Sequence, residues 1–209
     1  MKKLTKLEQN SFTIPPQLQE IIIGSGLGDL TIQKQAVNTR LKFEQSLIKK
    51  EYINHLFDLF KDFCSAKPKI SIRKPDSRTY KVSSSIYFYT YSLPCFNYYR
   101  ELFFVNGVKV VPTNISELLT ARGLAYWSAD DGSKQGGGFI LSSQSFDEAG
   151  NLLLIKALAK NFELDCTLQK INKPNGKVIY RIYIKAGSMD KFKSIVSPYF
   201  PDSMKYKLN

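Results

Sequence analysis

The sequence predicts an α+β fold made of two similar halves, each with the element order α-β-β-α-β-β-α and an antiparallel sheet. Some stretches have apolar residues three or four positions apart, which is typical of helices. Between them lie pairs of stretches in which every second residue is apolar, which is typical of strands. The same order begins again near residue 115. A chain duplicated in this way is expected to have pseudo-twofold symmetry, which suits the symmetric backbone of duplex DNA.

The first half begins with a helix that Pro15 and Pro16 open, because proline is well accommodated in the first helical turn. In the strand pair that follows, Leu41 and Phe43 alternate with charged residues, as in a half-buried strand. Apolar residues at helical spacing predict an amphipathic second helix. β-branched and aromatic residues predict the later strands. This half has predicted helices over 14–28, 49–63 and 95–104, and predicted strands over 30–36, 39–46, 69–73 and 79–91.

The first helix of the second half follows Asn114, which together with Glu117 has the pattern of a capping box. Glycines at 136–138 interrupt the next strand pair, and a turn over 173–176 joins the last two strands. This half has predicted helices over 115–130, 147–162 and 188–200, and predicted strands over 133–144, 165–172 and 177–185. The chain therefore divides into an N-terminal half over 1–104, a linker over 105–114 and a C-terminal half over 115–209.

The composition indicates a phosphate-rich partner. The chain has 30 Lys and Arg residues against 18 Asp and Glu residues, a net charge of +12, which favours nucleic acid first and an anionic membrane second. No apolar run reaches the about 20 residues that span a bilayer, so we expect no membrane partner. Three distant cysteines and the single His55 argue against a disulfide framework, a zinc knuckle and a histidine metal cluster. A reducing compartment fits this cysteine usage, and His55 is expected to be half-buried within its helix.

One acidic motif occurs twice. Residues four apart lie on one helix face, and small residues there let two helix backbones approach closely. Such packing would bring the ends of the two motif helices, and so their aspartates, together. Small residues and the final aspartate are Gly24, Gly28 and Asp29 in the first copy, and Ala125, Ala129 and Asp131 in the second.

Two neighbouring carboxylates repel each other unless a cation lies between them. Oxygen ligands without nearby His or Cys favour Mg²⁺. We expect Mn²⁺ to substitute for it, and Ca²⁺ to support binding of the phosphodiester substrate without its cleavage. Such a metal suits phosphodiester hydrolysis. The alternative is that Asp29 and Asp131 end helices in ordinary turns.

Basic and hydrogen-bonding residues on the strands form a second pattern. A sheet face of this kind can lie in the major groove of DNA, although a solvated sheet face is the alternative. The candidate DNA-binding residues are Gln33, Gln35, Arg40, Lys42, Lys69 and Arg73 in the first half, and Lys134, Lys170, Arg181, Tyr183 and Lys185 in the second.

These motifs resemble those of the LAGLIDADG homing endonucleases, most closely the monomeric, two-motif mitochondrial intron type. The resemblance covers nearly the whole chain. It rests on residues 124–132, the pair Gly28-Asp29, residues 142–146 and the tail 201–208. It implies two halves that form a saddle over DNA, with the motif helices between them. Leu30 after the first motif, where the family has glycine, and Tyr126 in a position usually held by a small residue depart from the family pattern.

The resemblance also implies roles for particular residues. Asp29 and Asp131 match the metal-binding catalytic aspartates, and the backbone carbonyls of Gly28 and Asp130 match positions that help to hold metal. Lys109 and Lys207 match the active-site lysines of the family. Gln45 and Gln144 fall near positions that line the active site in relatives.

The function implied is a monomeric, Mg²⁺-dependent endonuclease that cleaves both strands of a long, asymmetric DNA site and leaves short 3′ overhangs. The resemblance further implies that the protein is mitochondrial and organelle-encoded. Two alternatives remain open on the same fold. One is a maturase that binds its own intron RNA and assists splicing, and the other is a DNA-binding regulator that does not cleave.

Overall fold

The computed structural model describes residues 4–75, 78, 80 and 82–209. In this part of the chain the helices are α1 (Lys6–Asn10), α2 (Pro16–Leu27), α3 (Lys50–Phe60), α4 (Asn97–Phe103), α5 (Ile115–Leu118), α6 (Ala121–Asp131), α7 (Glu148–Phe162) and α8 (Met189–Val196). The strands are β1 (Thr31–Lys34), β2 (Thr39–Ser46), β3 (Lys69–Ile72), β4 (Ser84–Tyr89), β5 (Phe104–Val105), β6 (Val108–Lys109), β7 (Gly132–Gln135), β8 (Gly138–Leu141), β9 (Cys166–Asn172) and β10 (Val178–Ile184).

The predicted mixture of helices and antiparallel sheets is confirmed. One four-stranded sheet has the order β1-β2-β4-β3, and the other has the order β7-β8-β10-β9. All strand pairs in both sheets are antiparallel. The two sheets thus repeat one topology, as the sequence repeat predicts. Contacts divide the chain into two compact units, Met1–Leu18 with Asp29–Arg100, and Gln19–Gly28 with Glu101–Asn209. The predicted division into 1–104, 105–114 and 115–209 stays a prediction.

The first unit packs α3 against one face of its sheet through aromatic side chains. Burial alternates along β2, where Leu41 and Phe43 are buried and the residues between them are half-exposed. The Phe43 ring stacks on Phe88 at 4.8 Å between centroids and meets Phe60 of α3 at 4.9 Å. Burial of these rings holds the sheet on α3 and leaves the opposite face of the sheet open.

The second unit places α7 and α8 against the buried face of its sheet. Ile182 and Ile184 of β10 are fully buried, and Phe139 of β8 meets Phe192 of α8 at 4.9 Å between ring centroids. Asp147 caps α7 by accepting a hydrogen bond from the Gly150 N–H at 2.8 Å, which satisfies one of the free amides of the first helical turn.

Within the second unit, the end of α2 packs closely against α6. A Cβ atom added at Gly24 would lie 2.0 Å from the Gly123 carbonyl oxygen, and one added at Gly123 would lie 3.2 Å from the Glu20 carbonyl oxygen. The two backbones therefore touch where both helices have glycine. The predicted close packing of the motif helices is present. Gly24 meets Gly123, which was not among the predicted small residues, and the predicted Ala125 is fully buried.

A hairpin that the sequence analysis assigned to a helix end and a linker precedes α5. Strands β5 and β6 pair through Phe104 and Lys109, and Asn106 and Gly107 between them have φ angles of 50° and 80°. Asn-Gly is the preferred sequence for a two-residue turn with both residues in the left-handed region. This turn fixes the direction in which Lys109 leaves the backbone.

The predicted helix over 115–130 is wrong in one respect, because it is two helices. Leu119 adopts an extended conformation after α5, and Thr120 begins α6 by accepting a hydrogen bond from the Gly123 N–H at 3.1 Å. The predicted capping box at Asn114 is also wrong, since its side chain makes no capping hydrogen bond. A threonine is a good N-cap, and it separates the short α5 from the motif helix.

The other predicted elements match observed ones, with shorter bounds. The predicted strand 79–91 contains β4, while residues 79 and 81 lie outside the described part of the chain. The predicted helix 188–200 contains α8, which ends at Val196 and continues as a single 3-10 turn. His55 is half-buried in α3 as expected. Among the described residues, no helix has the length and apolar character needed to cross a bilayer.

The helix contact generates a first prediction. Changing Gly24 to alanine should lower the free energy of unfolding by about 2–3 kcal/mol, because the added methyl group must push apart two packed backbones. Chemical denaturation followed by circular dichroism measures this. The matched control is Gly187→Ala, where an added Cβ would meet nothing within 4 Å. Equal stability of the Gly24→Ala and Gly187→Ala variants would contradict the contact.

The thiols generate a second prediction. Burial raises the pKa of Cys64 and Cys166 to about 12 and that of Cys95 to about 11. The thiolate is the reactive form, so raised pKa values leave little of it at pH 8. Native protein should react with a disulfide reagent at pH 8 at least about a hundredfold more slowly than protein unfolded in guanidinium. Three thiols that react at the unfolded rate in native protein would contradict the burial.

Candidate functional site

In each acidic motif a helix ends within two residues of the aspartate. Helix α2 ends at Leu27, and the Gly28 N–H donates to the carbonyls of Gly24 and Ser25 at 3.3 and 3.0 Å. Asp29 follows directly and is exposed. Helix α6 ends at Asp131, which is half-exposed. Both carboxylates are therefore accessible to solvent.

Two lysines contact the ends of these helices in the second unit. The Lys109 Nζ donates to the Gly28 carbonyl oxygen at 3.0 Å. The Lys207 Nζ donates to the carbonyl oxygens of Ala129 and Asp130 at 2.6 and 3.1 Å. Each ammonium group thus binds the carbonyl of the residue that immediately precedes a motif aspartate. The β5–β6 hairpin supplies Lys109, and the C-terminal 3-10 helix Asp202–Lys207 supplies Lys207.

These contacts follow from the electrostatics of helix ends. The last carbonyls of a helix have no partner within the helix and carry partial negative charge. A lysine is a favourable partner there, and a carbonyl oxygen has two lone pairs. The two lysines therefore bind the carbonyls of Gly28 and Asp130, the two carbonyls predicted as metal ligands.

Glycine at position 28 is required by the packing in the second unit. A Cβ atom there would lie 2.7 Å from the Cβ of Asp130 and 3.0 Å from its Oδ2. The Asp130 side chain is only 6% exposed. The backbone of Gly28 thus passes directly over a buried carboxylate, which explains the third glycine of the first motif.

In the first unit, Asp29 is held by a chain of hydrogen bonds. The Gln45 Nε2 donates to Asp29 Oδ2 at 2.6 Å, and the Lys49 Nζ donates to Gln45 Oε1 at 3.0 Å. Gln45 is 8% exposed, so its amide is fixed at the end of β2. Lys49 therefore orients the amide that orients the carboxylate. Gln45 was predicted from the sequence and Lys49 was not, although its position four residues later, in a short helical turn, was an available signal.

Gln144, predicted as the counterpart of Gln45, has different surroundings. It is exposed and lines a cavity with Lys173, Asn175 and Lys177 of the β9–β10 turn. The two glutamines thus repeat in the sequence but not in their contacts. Within the second unit, the backbone carbonyl of Asp131 accepts a hydrogen bond from the Ser142 N–H at 3.0 Å.

The open face of the first sheet carries every DNA-binding candidate of the first half. Side chains directly opposite each other on antiparallel strands share a face, and the pairs Gln33 with Arg40, Lys42 with Tyr89, and Lys69 with Tyr87 define it. Gln35 and Arg73 continue β1 and β3 at alternate positions on this face. The described strand residues on this open face are Thr31, Gln33, Arg40, Lys42, Glu44, Ser46, Lys69, Ser71, Ser85, Tyr87 and Tyr89.

Two tyrosines order the basic groups of this face. The Arg40 guanidinium lies 4.1 Å above the Tyr89 ring and donates through Nε to Gln33 Oε1 at 3.0 Å. The Lys42 ammonium lies 5.2 Å from the Tyr87 ring. Cation–π contact restrains flexible basic side chains, so Arg40 is fixed from two sides. The sequence analysis did not assign Tyr87 or Tyr89 to this face.

The second sheet brings together only some of its candidates. Arg181 and Tyr183 lie opposite Gln169 and Thr167 on one face, and Arg181 Nη2 donates to Gln169 Oε1 at 3.2 Å. Register places Lys170 opposite Tyr180, and Lys134 opposite Phe139, on the other face of the sheet. Both lysines are exposed there. A period-two pattern along each strand was the available signal, because Lys134 alternates with Ser133, and Lys170 with Gln169, which share the face of Arg181.

Lys185 lies beyond the end of β10. Its Nζ makes an ion pair with Asp165 Oδ2 at 2.8 Å, and both side chains are well exposed. Such a pair adds little stability in water, so Lys185 can exchange Asp165 for another anion.

Comparison with known proteins places these features in a family. The model of the LAGLIDADG DNA endonuclease family matches residues 19–192, which include both acidic motifs and both sheets. The matched range covers most of the chain.

Individual relatives agree with this match. The chain is 29% identical to DNA endonuclease I-ChuI of Chlamydomonas applanata, over 94% of this chain and 96% of the relative. It is 30% identical to the cytochrome b mRNA maturase bI2 of Debaryomyces hansenii, over 92% of this chain and 73% of the relative. Among solved structures, the homing endonuclease I-WcaI bound to its DNA recognition sequence superposes with a TM-score of 0.89 at 27% identity, covering 100% of this chain and 95% of the other.

Proposed function

This chain belongs to the LAGLIDADG DNA endonuclease family, a family of DNA-cleaving hydrolases, and we propose that it is a Mg²⁺-dependent homing endonuclease. It acts as a monomer and cleaves both strands of a long, asymmetric duplex site, leaving short 3′ overhangs. We place its origin in a mitochondrial intron, because relatives include a probable intron-encoded endonuclease of Wickerhamomyces canadensis, 30% identical over 99% of this chain, and cytochrome b mRNA maturases.

One observation carries the proposal. Lys109 and Lys207 come from unrelated local structures, yet each donates to the carbonyl of the residue before a motif aspartate. This repeated arrangement brings an ammonium group to the residue before the motif aspartate at both helix ends. A pair of equivalent centres is what cleavage of two antiparallel DNA strands needs.

The donor set at these helix ends fits a hard divalent cation. Asp29 and Asp131 offer carboxylate oxygens, and Gly28 and Asp130 offer backbone carbonyl oxygens. Mg²⁺ binds through few carboxylates and takes its other ligands from water and phosphate. When bound, such a metal lowers the pKa of a coordinated water and stabilises the leaving oxygen. Mn²⁺ should substitute, and Ca²⁺ should support DNA binding without cleavage.

The residues of the chain supply the rest of the chemistry. Gln45, held by Lys49, orients the Asp29 carboxylate towards its ligand. The ammonium groups of Lys109 and Lys207 offset negative charge that develops on the phosphate oxygens in the transition state. Gln144 stays a candidate for contact with the water or the DNA near Asp131. The basic faces of the two sheets hold the duplex through its phosphates.

The direct test uses a plasmid library that carries randomised sites. Purified protein with Mg²⁺ should linearise a defined subset of plasmids and leave 3′ overhangs, and with Ca²⁺ it should retain the same subset without cutting. Sequencing the ends gives the site and the overhang. If the protein binds a specific subset of plasmids but cleaves none of them in Mg²⁺ or Mn²⁺, it is a DNA-binding regulator and not a nuclease.

The names of the maturase relatives favour a second activity, assistance in splicing an intron RNA. The chain would then bind its own intron RNA in addition to DNA. An in vitro splicing assay with that intron separates the two roles, because Asp29→Asn should abolish DNA cleavage and leave splicing assistance intact.

A third prediction concerns the lysines. Lys109→Met and Lys207→Met should each slow DNA cleavage about a hundredfold, which is typical for loss of one transition-state donor. Affinity in Ca²⁺ should change less than about threefold, because one phosphate contact contributes little to a large interface. Rates from single-turnover cleavage and affinities from filter binding measure both. The control is Lys160→Met, which removes the same charge from an exposed position on α7. Equal losses of cleavage and binding would contradict a catalytic role.

A fourth prediction concerns Lys49. Lys49→Met should slow cleavage about tenfold, because loss of a charged donor frees the Gln45 amide to rotate. Lys49→Arg should restore most of the rate by donating to the same oxygen. Wild-type cleavage by Lys49→Met would show that Gln45 holds Asp29 without help.

A further inference from the structure

Glu44 is an acid in a surface that otherwise suits an anionic ligand. Among the described strand residues of the open face of the first sheet, it is the one carboxylate. Its neighbours along β2 on that face are Lys42 and Ser46, and Arg40 lies one alternate position further. Because DNA phosphates carry negative charge, this carboxylate opposes binding of the backbone.

The carboxylate is held in place by three groups of the first unit. The Ser85 Oγ donates to Glu44 Oε1 at 2.6 Å, the Lys42 Nζ binds Oε2, and an Arg73 Nη2 lies 3.8 Å from Oε1. The hydrogen bonds from Lys42 and Ser85 lower the pKa of Glu44 below its usual range. The group is therefore ionised at neutral pH and accepts hydrogen bonds without donating any.

The position of Glu44 relates it to the cleavage chemistry. Glu44 and Asp29 line one cavity of about 390 Å³ in the first unit, together with Gln45 and Arg73. Glu44 is half-exposed at this cavity, so its oxygens are open to a ligand there. A base pair in contact with Glu44 would thus lie close to the phosphate that is cleaved at Asp29.

We infer that Glu44 is a specificity-determining residue that accepts a hydrogen bond from the N4 amino group of a cytosine next to the cleaved bonds. The inference rests on the proposed function of the same site. In the major groove, only cytosine and adenine present amino donors, while guanine and thymine present acceptors that repel a carboxylate. Adenine also presents N7, an acceptor beside its amino group, which repels the second oxygen of Glu44. Cytosine has no such neighbour and is the preferred base.

The groups that hold Glu44 prepare it for this contact. Lys42 and Arg73 offset its charge while DNA phosphates approach, and Ser85 fixes the orientation of one oxygen. A carboxylate has about four acceptor positions, so capacity remains for an amino group. A carboxylate placed in this way disfavours sequences in which a base-edge acceptor would face it, which adds discrimination at one base pair.

The test compares base preferences at every position of the target. The wild-type protein, Glu44→Gln and Glu44→Ala are each assayed for cleavage against all single-base variants of the site found with the randomised library. The wild type should prefer cytosine by about tenfold at one pair near the cleaved bonds, the usual size of a single base contact. Glu44→Gln should accept adenine there, because glutamine pairs with adenine N6 and N7. Glu44→Ala should lose the preference, and other positions should be unchanged in both variants.

The control and the remaining outcomes separate this inference from others. Glu101→Gln removes the same charge from an exposed position on α4 and should leave the whole profile unchanged. If the Glu44 variants change affinity equally for all sites, Glu44 adjusts only charge and the inference is overturned. An unchanged profile, with melting temperatures like that of the wild type, overturns it as well. Failure of the wild-type protein to cleave any site would instead refute the proposed function itself.

Discussion

The structure depends on the close approach of two helix backbones within one compact unit. Helices α2 and α6 touch at Gly24 and Gly123. A side chain at Gly24 would collide with the Gly123 backbone, and one at Gly123 would lie in tight contact with the Glu20 carbonyl. Glycine within a helix costs about 1 kcal/mol relative to alanine. The close crossing explains why glycine is nevertheless present, since a Cβ atom at Gly24 would overlap the Gly123 carbonyl and one at Gly28 would lie 2.7 Å from the Cβ of Asp130.

The crossing has an electrostatic consequence. Each of the two helix C-termini carries partial negative charge and binds a lysine ammonium group. Lys109 and Lys207 bind the carbonyls that precede the two motif aspartates, so the ends of the helices are stabilised by the same groups that we propose act on the phosphate. A net charge of +12 over the chain draws DNA to these centres. Folding and the proposed chemistry therefore use one set of contacts.

Much of this architecture could be predicted from sequence, because it follows from periodicity and from repeats. Alternation along β2 placed Arg40 and Lys42 on the open face, and the spaced glycines indicated the helix contact. Features that depend on tertiary contacts were missed. The contact of Gly24 with Gly123 was not predicted, because the register between two helices is set by their whole surfaces. The Asn106-Gly107 turn carried a clear local signal that was assigned to a linker. The spacing of four residues allows the hydrogen bond from Lys49 to Gln45, but the fold sets the directions of the two side chains. Lys170 lies on the opposite face from Arg181, as alternation along β9 indicates.

Our central proposal is that the carboxylates of Asp29 and Asp131 bind the metal ion that cleavage requires. The most direct measurement is single-turnover cleavage of the identified site in Mg²⁺ by Asp29→Asn and by Asp131→Asn, with binding in Ca²⁺ measured on the same samples. The account predicts that each substitution abolishes cleavage of both strands while the protein stays folded and still recognises the site. Full cleavage by either variant would contradict it.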